Sequence, residues 1–306
     1  MLLIRFFGGK GGVGKTTLAA AYALAQARRG LRTLVVSTDP AHSLGDALET
    51  SLSDRPRRVT GTLWAAEISG ERQARRRIAE VLDDARHAVP REVLPAVERH
   101  LERAAESPGT VESALLDRLT EVVEEAGERW DTVIVDSAPT GHMVRLLSLP
   151  TLLTPWIEGL ARHRRRARHA DRLAAGLLGD PDDAADPLLE RLQARRARLG
   201  RLRTRLGEDA LVHLVLVPER LPLAETLRAA DVLTGAGLPL GAVVVNRVAS
   251  GDETGVLARR REQEELVLAT VHERFGADAV VTVPLLPGAL TGTAGLGEAA
   301  VWLGRL

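Results

Sequence analysis

The 306-residue chain contains only two lysines, Lys10 and Lys15, and both fall in Gly8-Gly9-Lys10-Gly11-Gly12-Val13-Gly14-Lys15-Thr16-Thr17. Gly9, Gly14, Lys15 and Thr16 satisfy the spacing G-x-x-x-x-G-K-[ST], in which glycines let successive backbone N–H groups wrap an anion at the start of a helix. Lys15 is long enough to reach β- and γ-phosphates, and the Thr16 hydroxyl is placed to ligate Mg²⁺. The loop from Gly9 through Gly11, Gly12, Val13 and Gly14, with Thr17 just beyond the motif, completes a candidate ATP cradle. Lysine at position 10 of a chain otherwise restricted to arginine points to a need for a compact ammonium, a guanidinium being a bulkier planar fork; the plain alternative is a solvated loop charge.

Two aspartates stand where such a loop would need them. Asp136 ends the apolar run Trp130 to Val135, a Walker-B pattern that would hold Mg²⁺, through water, from the end of a strand. Asp39 follows Arg32 to Thr38, a predicted parallel strand, and lies where open α/β sheets bind ligands. It could equally cap a helix with Pro40 in the first turn. Asn246, the only asparagine, ends the run Gly241 to Asn246. It is either a turn residue or an amide that reads adenine, and Pro284, Leu285 and Leu286 would then begin a loop covering the base.

The elements that must position these residues follow from the apolar pattern. Leu2 to Phe7 reads as a strand and Leu18 to Ala27 as a helix, with the phosphate loop between them. Arg32 to Thr38, Thr62 to Ile68 (placed at an edge), Trp130 to Asp136, Leu211 to Val217, Gly241 to Asn246 and Ala279 to Pro284 read as further strands. The expected fold is α/β: a doubly wound, mostly parallel sheet forming one ATPase domain over residues 1–306. Charged stretches with leucine and alanine at helical spacing, about 69–129 and 149–206, would form an inserted helical subdomain, broken at Pro90, Pro95, Ser107 to Gly109, and the acidic stretch Gly179 to Pro187. Two arginine-rich runs, 162–172 and 195–205, are read either as solvated faces pairing with nearby acids or as a docking surface for an acidic partner or anionic lipid.

Composition excludes several function classes. Formal net charge is zero and aromatics are 3%, which gives no basis for general nucleic-acid attraction or base-stacking platforms. Cysteine is absent, so disulfides, thiolate zinc sites and thiol nucleophiles are ruled out. With no leader pattern and no apolar run near the roughly 18 residues a membrane span needs, a cytoplasmic protein is expected, at most peripheral to a membrane in a complex.

Three stretches together resemble one family. G-K-G-G-V-G-K-T at 9–16, S-T-D-P-A-H-S-L-G-D at 37–46 and D-S-A-P-T-G-H-M-V-R-L-L-S-L-P at 136–150 are similar to the deviant-Walker P-loop ATPases of the arsenite-pump (ArsA) and guided-entry, tail-anchored-protein-targeting kind. The resemblance implies a homodimer in which Lys10 crosses to the partner's nucleotide, Asp39 orients the attacking water beside the metal, and Asp136 begins switch II. It implies a helical subdomain that moves with nucleotide state and, in targeting members, carries a client groove. The chain departs from the family in lacking the zinc and arsenite cysteines, and in having Ser43 where targeting members usually have asparagine. Three roles stay open: a chaperone for a membrane-protein client, a motor subunit of a membrane transporter without thiol control, and a switch scaffold of the MinD or ParA kind. The last is disfavoured by the neutral charge and the lack of an evident C-terminal amphipathic helix.

Overall fold

The computed structural model describes residues 3–41, 43–88, 94–137, 140–178, 187–249 and 255–306. Eight strands form one sheet: β1 (Ile4–Gly9), β2 (Thr33–Ser37), β3 (Arg57–Thr60), β4 (Leu63–Glu67), β5 (Thr132–Asp136), β6 (Ala210–Leu216), β7 (Leu240–Val248) and β8 (Val280–Pro284). Their order is β3-β4-β2-β5-β1-β6-β7-β8, and every pairing is parallel except β3 with β4. The central strands are apolar along nearly their whole length because helices cover both faces, as a parallel sheet requires.

One layer consists of α1 (Lys15–Arg28) and α10 (Gly292–Trp302), which pack on Phe7, Val35, Ile134, Val215 and Val244. The opposite layer receives α5 (Pro108–Glu125), α6 (Thr140–Leu178), α7 (Pro187–Glu208), α8 (Arg220–Gly235) and α9 (Val256–Phe275), which share a core with Phe6, Val36, Val135 and Leu214. A short α2 (Ser43–Ala47) follows β2, while α3 (Gly70–Ala88) and α4 (Leu94–Ala105) precede α5. Helix α3 runs along α5 and α6 along α7, with α5 touching both of the latter.

The expected strands are present, with two differences. The segment at 62–68 is β4, one place in from the edge, because β3 pairs antiparallel outside it. β3 is four residues long with exposed Arg57 and Arg58, a polar edge that leaves no apolar signal to read. Pro95 does not break a helix, since it lies in the first turn of α4, and α6 runs through Pro150 and Pro155. Pro108 opens α5, capped by Ser107, whose Oγ accepts from Thr110 N. The acidic stretch between α6 and α7 and Pro90 fall outside the described residues.

The second arginine run is engaged within the protein. Arg195 donates to Ser113 Oγ at 2.6 Å, Arg196 pairs with Glu158 at 2.8 Å, Arg198 and Arg201 converge on Glu124 at 3.1 and 3.5 Å, and Arg205 donates to the Ala126 carbonyl at 2.8 Å. These contacts tie α7 to α5 and α6, so this run reads as a pairing face. In the first run Arg162 faces Glu158 at 3.8 Å, and the side chains of 167–178 lie outside the described residues.

His213 on β6 is buried between Phe7 and Tyr22, with ring centroids 5.3 and 6.4 Å away, and its Nδ1 lies 3.2 Å from the Ala242 carbonyl. Burial, with the nearby charge of Arg5, pushes its pKa down from 6.5 to about 4. The unfolded chain therefore takes up the proton first, so the stability His213 supports is full above about pH 6.5 and is lost as pH falls toward 4. Through this residue alone the protein should lose about 2 kcal/mol between pH 7 and pH 5, read by urea unfolding as the difference between the parent and His213→Gln. His213→Gln should flatten that dependence; an equal loss in the variant would assign the acid sensitivity elsewhere.

Candidate nucleotide site

Strand order assembles the site. β5 lies between β2 and β1, and Asp136 is in register with Ser37 on one side and Phe7 on the other. The phosphate loop after β1, Asp39 after β2 and Asp136 at the end of β5 therefore meet at the carboxyl edge of three adjacent strands.

Two glycines of the loop are required by packing. A Cβ on Gly9 would strike the Val215 carbonyl, and Gly14 adopts φ +93° with its α-carbon against the Asn246 amide. Gly14 precedes α1 with no side-chain cap, which leaves the first N–H groups of the helix open toward the loop, as an anion site needs. Lys15 is buried, and its Nζ donates to the Lys10 carbonyl at 3.1 Å, which holds the ammonium across the loop. Lys10 points the other way, to Glu225 on α8, with its Nζ 3.5 Å from Oε1 and both side chains about two-fifths exposed. Thr17 sits half-buried in the first turn of α1, and Gly11 and Gly12 are exposed at the loop tip.

Asp136 is fully buried. Its Oδ2 accepts from Ser37 Oγ at 3.0 Å, and its Oδ1 has no hydrogen-bond partner. Burial raises its pKa from 3.8 to about 6, against the opposing pull of the Thr16 and Ser37 hydroxyls and the Lys15 charge, and the charge of Asp39 adds to the rise. The Thr16 hydroxyl is also 3.1 Å from Ser43 Oγ at the start of α2. Asp39 does not cap a helix: α2 begins at Ser43, and Asp39 Oδ1 accepts from Ala41 N at 3.0 Å in a local turn, with its own N–H on Ser37 Oγ at 3.2 Å. An orphaned carboxylate oxygen beside a threonine hydroxyl and a second carboxylate is a hard-oxygen donor set that fits Mg²⁺.

Asn246 is brought to the loop itself, where its Nδ2 donates to the Val13 carbonyl at 2.8 Å and its Oδ1 accepts from Arg247 N at 3.0 Å. Both halves of the amide are thus engaged within the protein. Pro284 ends β8 beside Val248, Leu285 is half-exposed, and Leu286 packs against the core. Val217, Arg247, Ala249 and Leu285, with Glu219, Arg260 and Glu264, enclose a cavity of about 330 Å³ at the ends of β6, β7 and β8. Sequence reading missed Ser37, Glu225 and Glu264. Ser37 alone had a signal, a hydroxyl at the end of an otherwise apolar strand.

The sequence profile of the anion-transporting ATPase (ArsA) family matches residues 2–303. The chain belongs to that family. A protein of Aquifex aeolicus named as an arsenical pump-driving ATPase is 29% identical over 280 residues, 91% of each chain. The ATPase get3 of Schizosaccharomyces japonicus is 30% identical over 299 residues, covering 95% of this chain and 89% of that one. ATPase ARSA1 of Chlamydomonas reinhardtii is 31% identical over 94% of this chain, which spans 40% of the algal protein's length. The protein described here is accordingly an ATPase of α/β fold, as its motifs indicated. Among its described residues no helix is long and apolar enough to cross a membrane.

The two loop glycines with different surroundings separate packing from binding in this ATPase. Gly11→Ala meets no atom within 4 Å, so without nucleotide its unfolding free energy should stay within about 0.5 kcal/mol of the parent. Gly9→Ala must displace β6 backbone and should cost about 2 kcal/mol or more. Equal stability of the two variants would show that the loop does not pack on Val215 as described.

Proposed function

We propose that this ATPase is Mg²⁺-dependent, works as a face-to-face homodimer, and uses the γ-phosphate of ATP to switch its helices between states that differ in affinity for a membrane-protein client. The observation that supports this reading best is the convergence of Lys15, Thr16, Asp39 and the buried, half-partnered Asp136 at adjacent strand ends. Bound Mg²⁺ would supply charge neutralisation for the phosphates. Thr16 and Asp136 would hold it, and Asp39 would border it. The open amides at the start of α1 and the Lys15 ammonium would cradle the β- and γ-phosphates once Lys15 leaves the Lys10 carbonyl. Asp39 would orient water, so most of the rate would come from positioning and preorganised charge. Lys10 would leave Glu225 to reach the partner's nucleotide.

One cavity would carry the signal from phosphate to helices. Asp39 to Ala41 form one wall of a cavity of about 470 Å³ whose other walls include Ile68, Val111, Leu115, Met143 and Leu146. Met143 on α6 packs against Gly8 at the root of the phosphate loop, so movement of either the loop or the Asp39 turn would be felt by α5 and α6. We take α3 to α7 as the moving helical subdomain. Of the apolar positions on α6, Leu147 and Ile157 lie in the core and Leu160 is exposed, while the side chains of Leu152, Leu153, Trp156, Leu173, Leu177 and Leu178 are outside the described residues. A transporter-motor role is the second reading, supported by the name of the Aquifex relative.

Asp39→Asn should retain ATP binding but lower turnover by about a hundredfold or more, whereas Lys15→Ala should weaken ATP binding itself. Lys10→Ala should leave the monomer folded and abolish ATP-dependent dimer closure, read by light scattering. Unchanged turnover in Asp39→Asn would remove that residue from the mechanism.

A model transmembrane peptide should bind more tightly with a non-hydrolysable ATP analogue and Mg²⁺ than with ADP, because only differential affinity couples client to nucleotide. Equal binding in both states would refute coupling, and no binding in either state with an active ATPase would favour the transporter reading. Turnover should not respond to arsenite, the chain having no thiol to bind it.

A further inference from the structure

A tightly held acidic side chain outside the phosphate site is Glu264 on α9. It is 1% exposed, yet it makes two short contacts: its Oε2 accepts from Ala249 N at 2.8 Å and its Oε1 from Arg260 Nε at 2.8 Å. Arg260 continues to Glu219, the residue just before α8, at 3.4 Å. One carboxylate therefore ties α9 to the exit of β7 and, through Arg260, to the start of α8. All of these residues border the 330 Å³ cavity whose apolar sides are Val217 and Leu285.

The same strand exit carries a second sign of constraint. Arg247 adopts φ +60°, a conformation that a non-glycine residue holds only when its surroundings enforce it, and such positions cluster at ligand sites. Here the enforcing contacts are Asn246 Oδ1 on the Arg247 N–H and Glu264 on the Ala249 N–H, two residues along. Asn246 simultaneously holds the phosphate loop through Val13. Residues 246–249 are thus pinned at one end to the phosphate loop and at the other to α9, with the cavity wall between. Burying the Glu264 carboxylate against an arginine that is itself about two-fifths exposed is a poor way to gain stability, because desolvation of the carboxylate offsets much of the attraction, so fixing the position of a segment is the better account of the pair.

We propose that Glu264, with Arg260, is a positioning residue for the nucleobase: it holds 247–249 facing Val217 and Leu285 at the separation that admits a flat base, and so supports ATP affinity through the base and not through the phosphates. The proposal rests on the reading that this cavity takes the base of ATP. Glu264→Gln keeps the shape and the acceptor for Ala249 but loses the charge that binds Arg260. Arg260→Lys keeps the charge and loses the fork.

The test compares ATP with inorganic tripolyphosphate, which has the phosphates and no base, on the intact protein by calorimetry, with steady-state turnover alongside. Glu264→Gln should weaken ATP binding and raise KM about tenfold, leave kcat within twofold, and leave tripolyphosphate affinity unchanged. Arg260→Lys should fall between the variant and the parent, and serves alone if Glu264→Gln does not fold. Unchanged ATP affinity, or equal loss for ATP and tripolyphosphate, would overturn the proposal. If the parent protein binds tripolyphosphate as tightly as ATP, the cavity is not a base site and the proposal falls with that reading. The phosphate-loop assignment would then still stand or fall separately, on whether Lys15→Ala loses tripolyphosphate.

Discussion

Removal of Asp136 from water is the constraint on which the site depends. A carboxylate at the end of a central parallel strand, covered by helices on both faces, is driven toward its neutral form; the Ser37 and Thr16 hydroxyls and the Lys15 ammonium oppose that but leave one oxygen unpartnered. Such a group is costly unless a partner completes its bonding, which a bound cation would do under the function proposed above. The arrangement exists because strand order places β5 between the strand bearing Asp39 and the strand bearing the phosphate loop.

The phosphate loop is less autonomous than its glycines suggest. Gly9 lies against Val215 of β6, Gly14 against Asn246 of β7, and the Val13 carbonyl is held by that asparagine, so strands from the C-terminal half fix a loop coded near the N-terminus. Its two lysines are both engaged in the resting state, Lys15 on the loop's own carbonyl and Lys10 on Glu225 of α8. Under the function proposed above, exchange of these internal partners for phosphate oxygens would be a change among polar contacts, with little apolar burial gained or lost, and binding would then be reversible and sensitive to the charge on the nucleotide.

The helices on the α6 side of the sheet share one core with the strands and are linked to each other by arginine–carboxylate contacts across α5, α6 and α7. Half-exposed pairs of this kind contribute little stability each, but they orient helices without burying apolar surface. Such a surface would suit the helix shift proposed above, and the cavity behind Asp39 to Ala41 would leave room for it.

By itself the sequence determined the phosphate loop, the family and the strand framework, because each is encoded locally: glycine and lysine at fixed spacing, apolar runs ending in aspartate, and helical periodicity between them. It left Asp39 divided between a helix cap and a ligand, since both need an aspartate before Pro40, and only the start of α2 at Ser43 excluded the cap. The polar edge strand β3, the continuation of α6 through two prolines, and the engagement of the Asn246 Nδ2 by the Val13 carbonyl were decided by tertiary contacts. Ser37 was legible only as a hydroxyl at a strand end, and the roles of Ser37, Glu225 and Glu264 were illegible for the same reason. Their partners lie 99, 215 and 15 residues away, and a serine or glutamate acquires a particular role only when folding brings that partner within reach and removes competing water.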